Sequence, residues 1–521
     1  MTQFGNLVQF GAVVASAQIK VASYVFLRML PLGYKFLPKI LTSYAVFTAG
    51  LLLHLRFQRR TAAAFVLDGI VNTLILLFIA DFLYRGHFLH PANDLSFSRL
   101  GFVDETNSHI VIRHPNASNY TLTYVSHDGK ASVEAFITAS EDYTSSVVLT
   151  GLTPSTRYNY TTSLGHSGTF RTSSTPQKRF SFISSSCWNP FYPYDPLSHA
   201  LSIPGLRYLN DYVEDKMDHD PDFVFLLGDF YYSDLPIQLA PYTREYYTKL
   251  FRQVYASPDW TYKLRNIPWL HMFDDHELVN DFYPQMVEGG DMYNKAMDPF
   301  VSYQHRANPS SKDTSKFYYT FRRGDASFFV LDTRSYRDVP PPKHGENGGL
   351  GTRSMLGKQQ LEELEEWIRK EKGWKVIVSG VPFTRNWSEG GDEMDSWAGY
   401  LEERQHIFEL LWKYGGGVVI SGDRHEHATV KFPPPALSGY PEEHTVIEFS
   451  TSPLSFFFQP VIREYVTHEP TDITIHHEYY GSSKFGVFEF DSVSEQKWFI
   501  KFKLVVDGKE KWDYIHTWHR T

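Results

Sequence analysis

The N-terminal 92 residues contain the longest apolar stretches of the chain. Residues 62–84 (AAAFVLDGIVNTLILLFIADFLY) would form a helix long enough to cross a hydrocarbon core of about 30 Å. Residues 38–55 are shorter, have no charged residue after Lys39, and are followed by a basic segment at 56–60. Because basic residues favour the cytoplasmic side of a membrane, this pattern predicts a helical hairpin whose loop lies in the cytoplasm.

Charged residues within the apolar stretches bear on this prediction. Asp68 and Asp81 lie in the longest stretch, and a carboxylate near the middle of a membrane costs about 2.5–3.5 kcal/mol. A signal peptide and a buried core helix are the alternatives, although a signal peptide so far along the chain would be unusual. Lys20 and Arg28 interrupt the apolar residues 6–30, which favours a position at the membrane interface for that segment.

The predicted hairpin places the chain beyond about residue 88 on the luminal or extracellular side of a membrane. Four N-glycosylation sequons support this orientation, and they begin at Asn116, Asn119, Asn159 and Asn386. The single cysteine excludes a disulfide within the chain and argues mildly against an oxidising compartment. On balance we expect an integral membrane glycoprotein.

Residues 93–176 show the pattern of a small β-sandwich. Apolar and polar residues alternate in HIVIRH and YTLTYVS, and no helical period is present. The segment LTPSTRY, which ends at Tyr158, resembles the tyrosine corner of fibronectin type III domains. We therefore expect a fibronectin-III-like sandwich that acts as a spacer or gates the substrate.

From about residue 177 the pattern changes to that of an α/β domain. Short apolar runs predict buried strands, and helical patterns at 356–373 and 400–416 lie among them. The polar residues that follow these strands are Cys187, Asp229, Asp275, Asp332 and Asp423. Sites in open α/β sheets lie beyond the carboxyl ends of the strands, so we expect these side chains to meet at one edge.

Composition limits the classes of function. Apolar residues make up 42% of the 521-residue chain and charged residues 21%, which excludes a disordered or fibrous protein. The net charge of −9 arises after residue 92, because the first 92 residues carry eight basic and only two acidic side chains. An acidic catalytic region argues against a nucleic-acid partner.

The residues at the predicted edge suggest metal ions. Buried carboxylates and a thiol would raise one another's pKa values unless a cation kept them ionised. Oxygen donors mixed with cysteine, tyrosine and histidine suit two unlike cations, one trivalent or soft and one hard and divalent. Taken singly, Cys187 could be an inert buried thiol, Asp229 a turn residue and His276 a core histidine. Their joint order along the chain favours the metal site.

The motifs resemble those of the PhoD-like alkaline phosphatases and phosphodiesterases, a branch of the calcineurin-like metallophosphoesterases. They occur in order within residues 95–510 and leave out the apolar N-terminal region. The matching segments are SSSCW (184–188), LLGDFYYSD (226–234), FDDHELVNDF (273–282), VLDTRSYRD (330–338), RSMLGKQQLEELEEW (353–367), DSWAGY (395–400), ISGDRHEH (420–427) and EFSTSPLS (448–455). The resemblance implies that residues 177–521 form a four-layer αββα metallophosphoesterase sandwich with a binuclear metal centre.

The resemblance assigns the first metal site to four residues. Asp229 would bridge the two metals, and Cys187, Tyr232 and His425 would complete a site similar to the iron(III) site of this family. The spacing of Tyr232, three residues after Asp229, matches the Gly-Asp-x-x-Tyr pattern of iron phosphatases.

The second site and the catalytic residues follow from the same resemblance. Asp275 and Asp423, with Asn280, would hold a calcium-like ion, with other divalent ions as alternatives. His276 would face the leaving group, and Arg334 would grip the phosphate oxygens. The implied function is hydrolysis of phosphomonoesters, phosphodiesters or both, in small molecules or polymers, by a hydroxide that bridges the metals.

Two alternatives stay open. One is a membrane-anchored binding or scaffold protein with a catalytically silent phosphoesterase fold. The other is an enzyme that prefers diesters, such as glycerophosphodiesters or polymer linkages. Capable donors occupy all the ligand positions expected in this branch, which favours an active enzyme. The spacing of the ligands does not separate monoesters from diesters.

Overall fold

The computed structural model describes residues 2–57, 62–127, 129–287, 290–310, 313, 315–340, 353–388, 395–458 and 464–519. The chain begins with three long helices, α1 (Thr2–Arg28), α2 (Gly33–Phe57) and α3 (Ala62–Leu89). By length and composition, the segments Asn6–Arg28, Gly33–Arg56 and Ala63–Leu89 could each cross a membrane. Most of the basic loop predicted at 56–60 lies outside the described residues.

Helix α1 covers most of the segment predicted to be interfacial, residues 6–30, and by length and composition it could also cross a membrane. The two charges that interrupt its apolar sequence both have partners in the fold. Lys20 forms an ion pair with Asp68 of α3, and Arg28 donates to the carbonyl oxygen of Tyr194 at 2.7 Å. Pairing lowers the cost of placing a charge among apolar side chains, so α1 can pack against α2 and α3 along its length.

Seven strands between residues 97 and 171 form two antiparallel sheets around one apolar core. The strands are β1 (Phe97–Val103), β2 (Ser108–Arg113), β3 (Asn119–Ser126), β4 (Gly129–Phe136), β5 (Thr144–Leu149), β6 (Arg157–Thr162) and β7 (Ser167–Arg171). The strand orders are β1-β2-β5 and β4-β3-β6-β7. The hydroxyl of Tyr158 accepts a hydrogen bond from the Thr153 backbone N–H at 2.9 Å, which is the contact expected of a tyrosine corner.

The rest of the chain is a mixed α/β unit. Its helices are α4 (Pro204–Asp215), α5 (Arg244–Tyr255), α6 (Tyr262–Arg265), α7 (Asp291–Tyr303), α8 (Gly357–Lys370) and α9 (Leu401–Tyr414). Its strands are β8 (Arg179–Ser185), β9 (Phe223–Leu227), β10 (Trp269–Met272), β11 (Tyr319–Arg323), β12 (Ala326–Val330), β13 (Trp374–Val378), β14 (Trp387–Ser388), β15 (Gly417–Ser421), β16 (His427–Phe432), β17 (Val446–Thr451), β18 (Glu464–Tyr465), β19 (Ile473–Glu478), β20 (Lys484–Asp491), β21 (Lys497–Val506) and β22 (Lys509–His519).

Two large sheets of this unit face each other across a shared core. One sheet has the order β10-β9-β8-β20-β21-β22, and the other has the order β11-β12-β13-β15-β17-β16-β19. Aromatic rings fill the space between them; for example, Phe182 of β8 lies 5.7 Å from Phe328 of β12, centroid to centroid. Helices α4, α5 and α7 contribute to the core outside the first sheet, and α8 and α9 to the core outside the second.

Parallel strands bring the predicted polar residues to the ends of both sheets. Strands β8, β9 and β10 are parallel neighbours, as are β12, β13, β15 and β17. Every strand predicted to precede a polar residue is present. Cys187, Asp229 and Asp275 follow strands of the first sheet, whereas Asp332 and Asp423 follow strands of the second.

One sequon prediction is wrong. Asn116, Asn119 and Asn159 are exposed, but Asn386 is fully buried. Its side-chain amide donates to the Asp472 carbonyl oxygen at 3.1 Å and to Thr474 Oγ1 at 2.9 Å. A glycan cannot be accommodated at this position in the folded chain.

Candidate metal centre

Four predicted ligands of the first metal site meet at the ends of the sheets. The Cys187 thiol donates to Asp229 Oδ2 at 3.2 Å, and the Tyr232 hydroxyl donates to the same oxygen at 2.8 Å. The Tyr232 oxygen also lies 2.9 Å from His425 Nε2. All four side chains are buried. The structure therefore brings together a thiol, a carboxylate, a phenol and an imidazole.

A second group of carboxylates adjoins the first. Donor atoms of Asp274, Asp275 and Asp423 lie within 4.8 Å of one another. Donor atoms of Asp229, Asp275 and His276 meet the same criterion. Asp229 belongs both to the first group and to the group with His276, and Asp275 belongs both to that group and to the group with Asp423. The ligands therefore form a continuous set.

The electrostatics of this set fit bound cations. Burial raises the pKa of the Asp229 carboxyl well above its ordinary value, although His276 opposes the shift. Burial, followed by the carboxylates of Asp229 and Asp423, raises the pKa of the Cys187 thiol. Burial raises the pKa of Asp423 to about 7. The Asp229 Oδ1 atom is buried and has no hydrogen-bond partner among the described residues. Cations would offset these charges and satisfy that oxygen.

The backbone at the ligand positions is unusual. Cys187, Asp229, Asp423 and His425 have φ angles of 61°, 52°, 71° and 58°, in the left-handed region that non-glycine residues rarely adopt. Each such residue costs on the order of 1 kcal/mol. Gly228 precedes Asp229 with a φ of 95°, and a Cβ atom there would lie 2.4 Å from the Cβ of Asp274. The turn after β9 therefore requires glycine.

His276 lies beside the carboxylates, and a partner fixes its orientation. Its Nδ1 is 2.7 Å from Asp234 Oδ1, and the residue is only 7% exposed. Burial lowers the pKa of His276, but Asp234, Asp275 and Asp229 more than offset this and leave it well above the ordinary value. Sequence reasoning did not identify Asp234, although it lies in the LLGDFYYSD motif.

Of the other predicted site residues, Asn280 is exposed and Arg334 is buried among carboxylates. Asn280 is exposed, and its backbone N–H donates to Asp234 Oδ2 at 3.1 Å. Arg334 is completely buried and donates to Asp274 through Nε. Its two terminal nitrogens donate to the carboxylate oxygens of Asp395 at 2.7 and 3.0 Å. Arg334 is thus surrounded by carboxylates within the fold.

Glu277 connects the two ligand-bearing segments and was missed in the sequence. Its carboxylate is fully buried and accepts backbone N–H groups from Phe230 at 2.6 Å, Asp274 at 2.8 Å and Asp229 at 3.2 Å. The acidic run Asp-Asp-His-Glu was the only signal, and it reads equally well as a solvated helix start. Asp332, by contrast, accepts backbone N–H groups from Arg334 and Ser335 and lies in none of the described ligand clusters.

Comparison with known proteins identifies the family. Residues 205–498 match the model of the family described as PhoD-like phosphatase. The chain belongs to this family. The match covers more than half of the 521 residues and confirms the PhoD-like resemblance predicted from the motifs.

Two individual relatives share only 26% and 18% sequence identity with this chain. Alkaline phosphatase D of Bacillus subtilis (strain 168) is 26% identical over 330 residues, which cover 53% of this chain and 52% of the relative. The chain therefore spans about half the length of this curated relative. A solved structure described as "Structure of PhoD" covers 81% of this chain and 88% of its own, with a TM-score of 0.61 and 18% identity. At that identity, the likeness supports the PhoD fold.

Proposed function

We propose that the protein is a membrane-anchored, metal-dependent phosphoesterase that hydrolyses phosphomonoesters, phosphodiesters or both. The observation that carries this proposal is the continuous ligand set centred on Asp229, in a chain of a phosphatase family. The exposed sequons support a luminal or extracellular catalytic region. The three apolar N-terminal helices support the membrane association.

We infer three units: a membrane region (1–92), a fibronectin-III-like sandwich (93–176) and a four-layer αββα phosphoesterase unit (177–521). The strand orders of the small sheets and the Tyr158–Thr153 hydrogen bond support the second unit. The two large sheets with helices outside each support the third.

We assign unlike metals to the two parts of the ligand set. Cys187, Tyr232 and His425, together with Asp229, offer the soft and phenolate donors that suit iron(III). Asp275 and Asp423 offer the oxygen donors that suit calcium or another hard divalent ion. Asn280, five residues after Asp275, is the third residue that we assign to that ion. When bound, such a pair of cations neutralises a phosphate ester and makes water nucleophilic at neutral pH.

The chain's own residues would orient the substrate and move one proton. Because Asp234 holds Nδ1 of His276, Nε2 is left to donate a proton to the departing ester oxygen. We assign Arg334 to positioning Asp274 and Asp275 rather than to gripping phosphate. Its Nε and one terminal nitrogen are already directed at these two carboxylates, the latter at 3.4 Å from Asp275.

Substitution of the central ligand tests the proposal. Asp229→Asn should lower hydrolysis of both nitrophenyl phosphate and bis-nitrophenyl phosphate by about 100-fold or more, because each metal loses a charged ligand. Elemental analysis of the purified full chain should find two metal ions per wild-type molecule and fewer in the variant. Asp218→Asn, at an exposed aspartate outside the ligand set, is the matched control and should change neither.

The same assays address the scaffold alternative. A well-folded wild-type protein that binds metal but hydrolyses neither ester would favour the silent fold. A ratio of the two rates strongly biased to the bis-ester would assign the enzyme to phosphodiesters.

A further inference from the structure

The N-terminal helices and the candidate metal centre share one apolar cluster. The helices contribute Ala22, Phe26 and Leu27 from α1, Ile40 from α2, and Ile79, Phe82 and Leu83 from α3. The metal side contributes Cys187, Phe191, Tyr192, Tyr194, Ala200, Tyr232, Phe456 and Phe457. Two of these residues, Cys187 and Tyr232, are candidate metal ligands. The bundle therefore packs into the same apolar cluster as two of the candidate ligands.

A short chain of aromatic contacts leads from α3 to the metal ligands. The ring centroid of Phe82 lies 6.4 Å from that of Tyr192, which lies 5.2 Å from Phe456. Phe456 in turn lies 4.3 Å from the ring of the candidate ligand Tyr232. Two aromatic side chains thus separate a helix able to cross a membrane from the metal centre.

Polar contacts fix the catalytic unit against the helices. Tyr194 donates its hydroxyl to Asp81 Oδ2 at 2.8 Å, and its carbonyl accepts from Arg28. The Gly33 backbone N–H donates to the Pro236 carbonyl at 2.9 Å. Pro236 lies four residues after Tyr232. These contacts hold the site beside the bundle, so a bilayer around the helices would lie next to it.

Two further aromatic contacts lie beside the metal ligands and near the surface. Phe457 lies 4.3 Å from His425, and the half-buried Phe458 lies 6.0 Å from Tyr480, centroid to centroid. Tyr480 is 52% exposed. The aromatic strip, as we call it, consists of Phe82, Tyr192, Phe456, Phe457, Phe458 and Tyr480. Exposed tyrosine is common at membrane–water interfaces.

A loop that follows the candidate ligand Cys187 presents an exposed apolar residue beside α3. Arg85 of α3 donates to the carbonyl oxygens of Pro196 and Ser198, at 3.2 and 3.0 Å. Leu197, between them, is 94% exposed. An apolar side chain presented beside a membrane helix can enter the lipid surface.

We propose that the natural substrate is a phosphate ester carried by a membrane lipid, a class that rests on the proposed phosphoesterase function. The phosphate would reach the metal ligands while the hydrocarbon chains stay in the bilayer around the adjoining helices. Most of the aromatic strip is buried and supports the ligands from within, and the exposed Tyr480 is its contact with lipid. In hydrolysis, the oxygen of water joins phosphorus, the ester P–O bond breaks, and the departing oxygen takes a proton. A soluble ester offers the same phosphate chemistry but is not held in the bilayer beside the site.

Matched substrate pairs distinguish the two sources of phosphate. The full chain in lipid nanodiscs is assayed with phosphatidic acid and glycerol phosphate, and with phosphatidylcholine and glycerophosphocholine. We expect kcat/KM per accessible headgroup to be at least about 10-fold higher for the lipid of one pair, because the bilayer concentrates it at the site. Equal or higher values for both soluble partners would overturn the proposal. If nitrophenyl esters are not hydrolysed either, the phosphoesterase function itself fails.

A variant of the strip gives an independent measurement. Tyr480→Ser should lower the ratio of lipid to soluble kcat/KM by about 5-fold, the effect of losing one aromatic contact. Tyr262→Ser is the matched control, because Tyr262 is 63% exposed and lies outside the strip. It should leave the ratio unchanged. A ratio that falls equally in both variants, or in neither, would contradict a role for the strip.

Discussion

Replacement of Glu277 by glutamine would show whether one buried carboxylate holds the ligand segments together. Oε1 accepts the Phe230 N–H, and Oε2 accepts those of Asp229 and Asp274. An amide directs an NH₂ group at one of these positions, so one or two backbone donors lose their acceptor. At about 1.5–3 kcal/mol for each hydrogen bond to a charged group, we expect a loss of about 2–5 kcal/mol.

Two measurements read out this variant. Chemical unfolding in detergent gives the loss of stability, and elemental analysis gives the metal content, which should fall because Asp229 and Asp274 are no longer fixed. Glu403→Gln is the matched control. Glu403 is also buried and accepts backbone N–H groups, from Met355 at 3.2 Å and Leu356 at 3.0 Å, but lies outside the ligand clusters. It should lose stability and keep its metal. Full metal content and wild-type stability in Glu277→Gln would refute the reasoning.

Three further predictions concern other parts of the fold and are tested by chemical or thermal unfolding in detergent. Burial lowers the pKa of His516 to about 4, so the folded state loses stability as the pH falls below about 6.5. His516→Phe should remove about 2 kcal/mol of the loss between about pH 7.5 and pH 5, and an unchanged loss would contradict this. Lys20→Leu should lower the melting temperature by leaving Asp68 unpaired, and Asp68→Leu in addition should restore it. Arg334→Met should cost about 3–5 kcal/mol, because Asp395 loses its bidentate partner; a neutral result would argue against the buried pair.

Much of the architecture could be predicted from local patterns. Each short apolar run before Cys187, Asp229, Asp275 and Asp423 is a strand, and the parallel order of the strands explains why these residues meet. The hydrophobic period of a strand or helix, which indicates its buried face, depends on residues that are neighbours in the chain. The sequence therefore displays it directly. The same holds for the helical patterns that became α8 and α9.

What could not be predicted depends on partners distant in the chain. Lys20 favours an interfacial segment in the sequence, and its pairing with Asp68, 48 residues away, is visible only after folding. The resemblance assigns Arg334 to the phosphate oxygens, and its pairing with Asp395 is visible only after folding. The sequon at Asn386 reads like any other, and only burial against Asp472 distinguishes it.

The left-handed backbone at Cys187, Asp229, Asp423 and His425 has a consequence for how such a chain would change over time. Glycine at any of these positions would remove backbone strain of on the order of 1 kcal/mol. A lineage that no longer needed catalysis could therefore gain folding stability by replacing these four residues. This chain keeps the bulkier residues at all four. For a protein engineer, a substitution at these positions that raises thermal stability is expected to lower the catalytic rate.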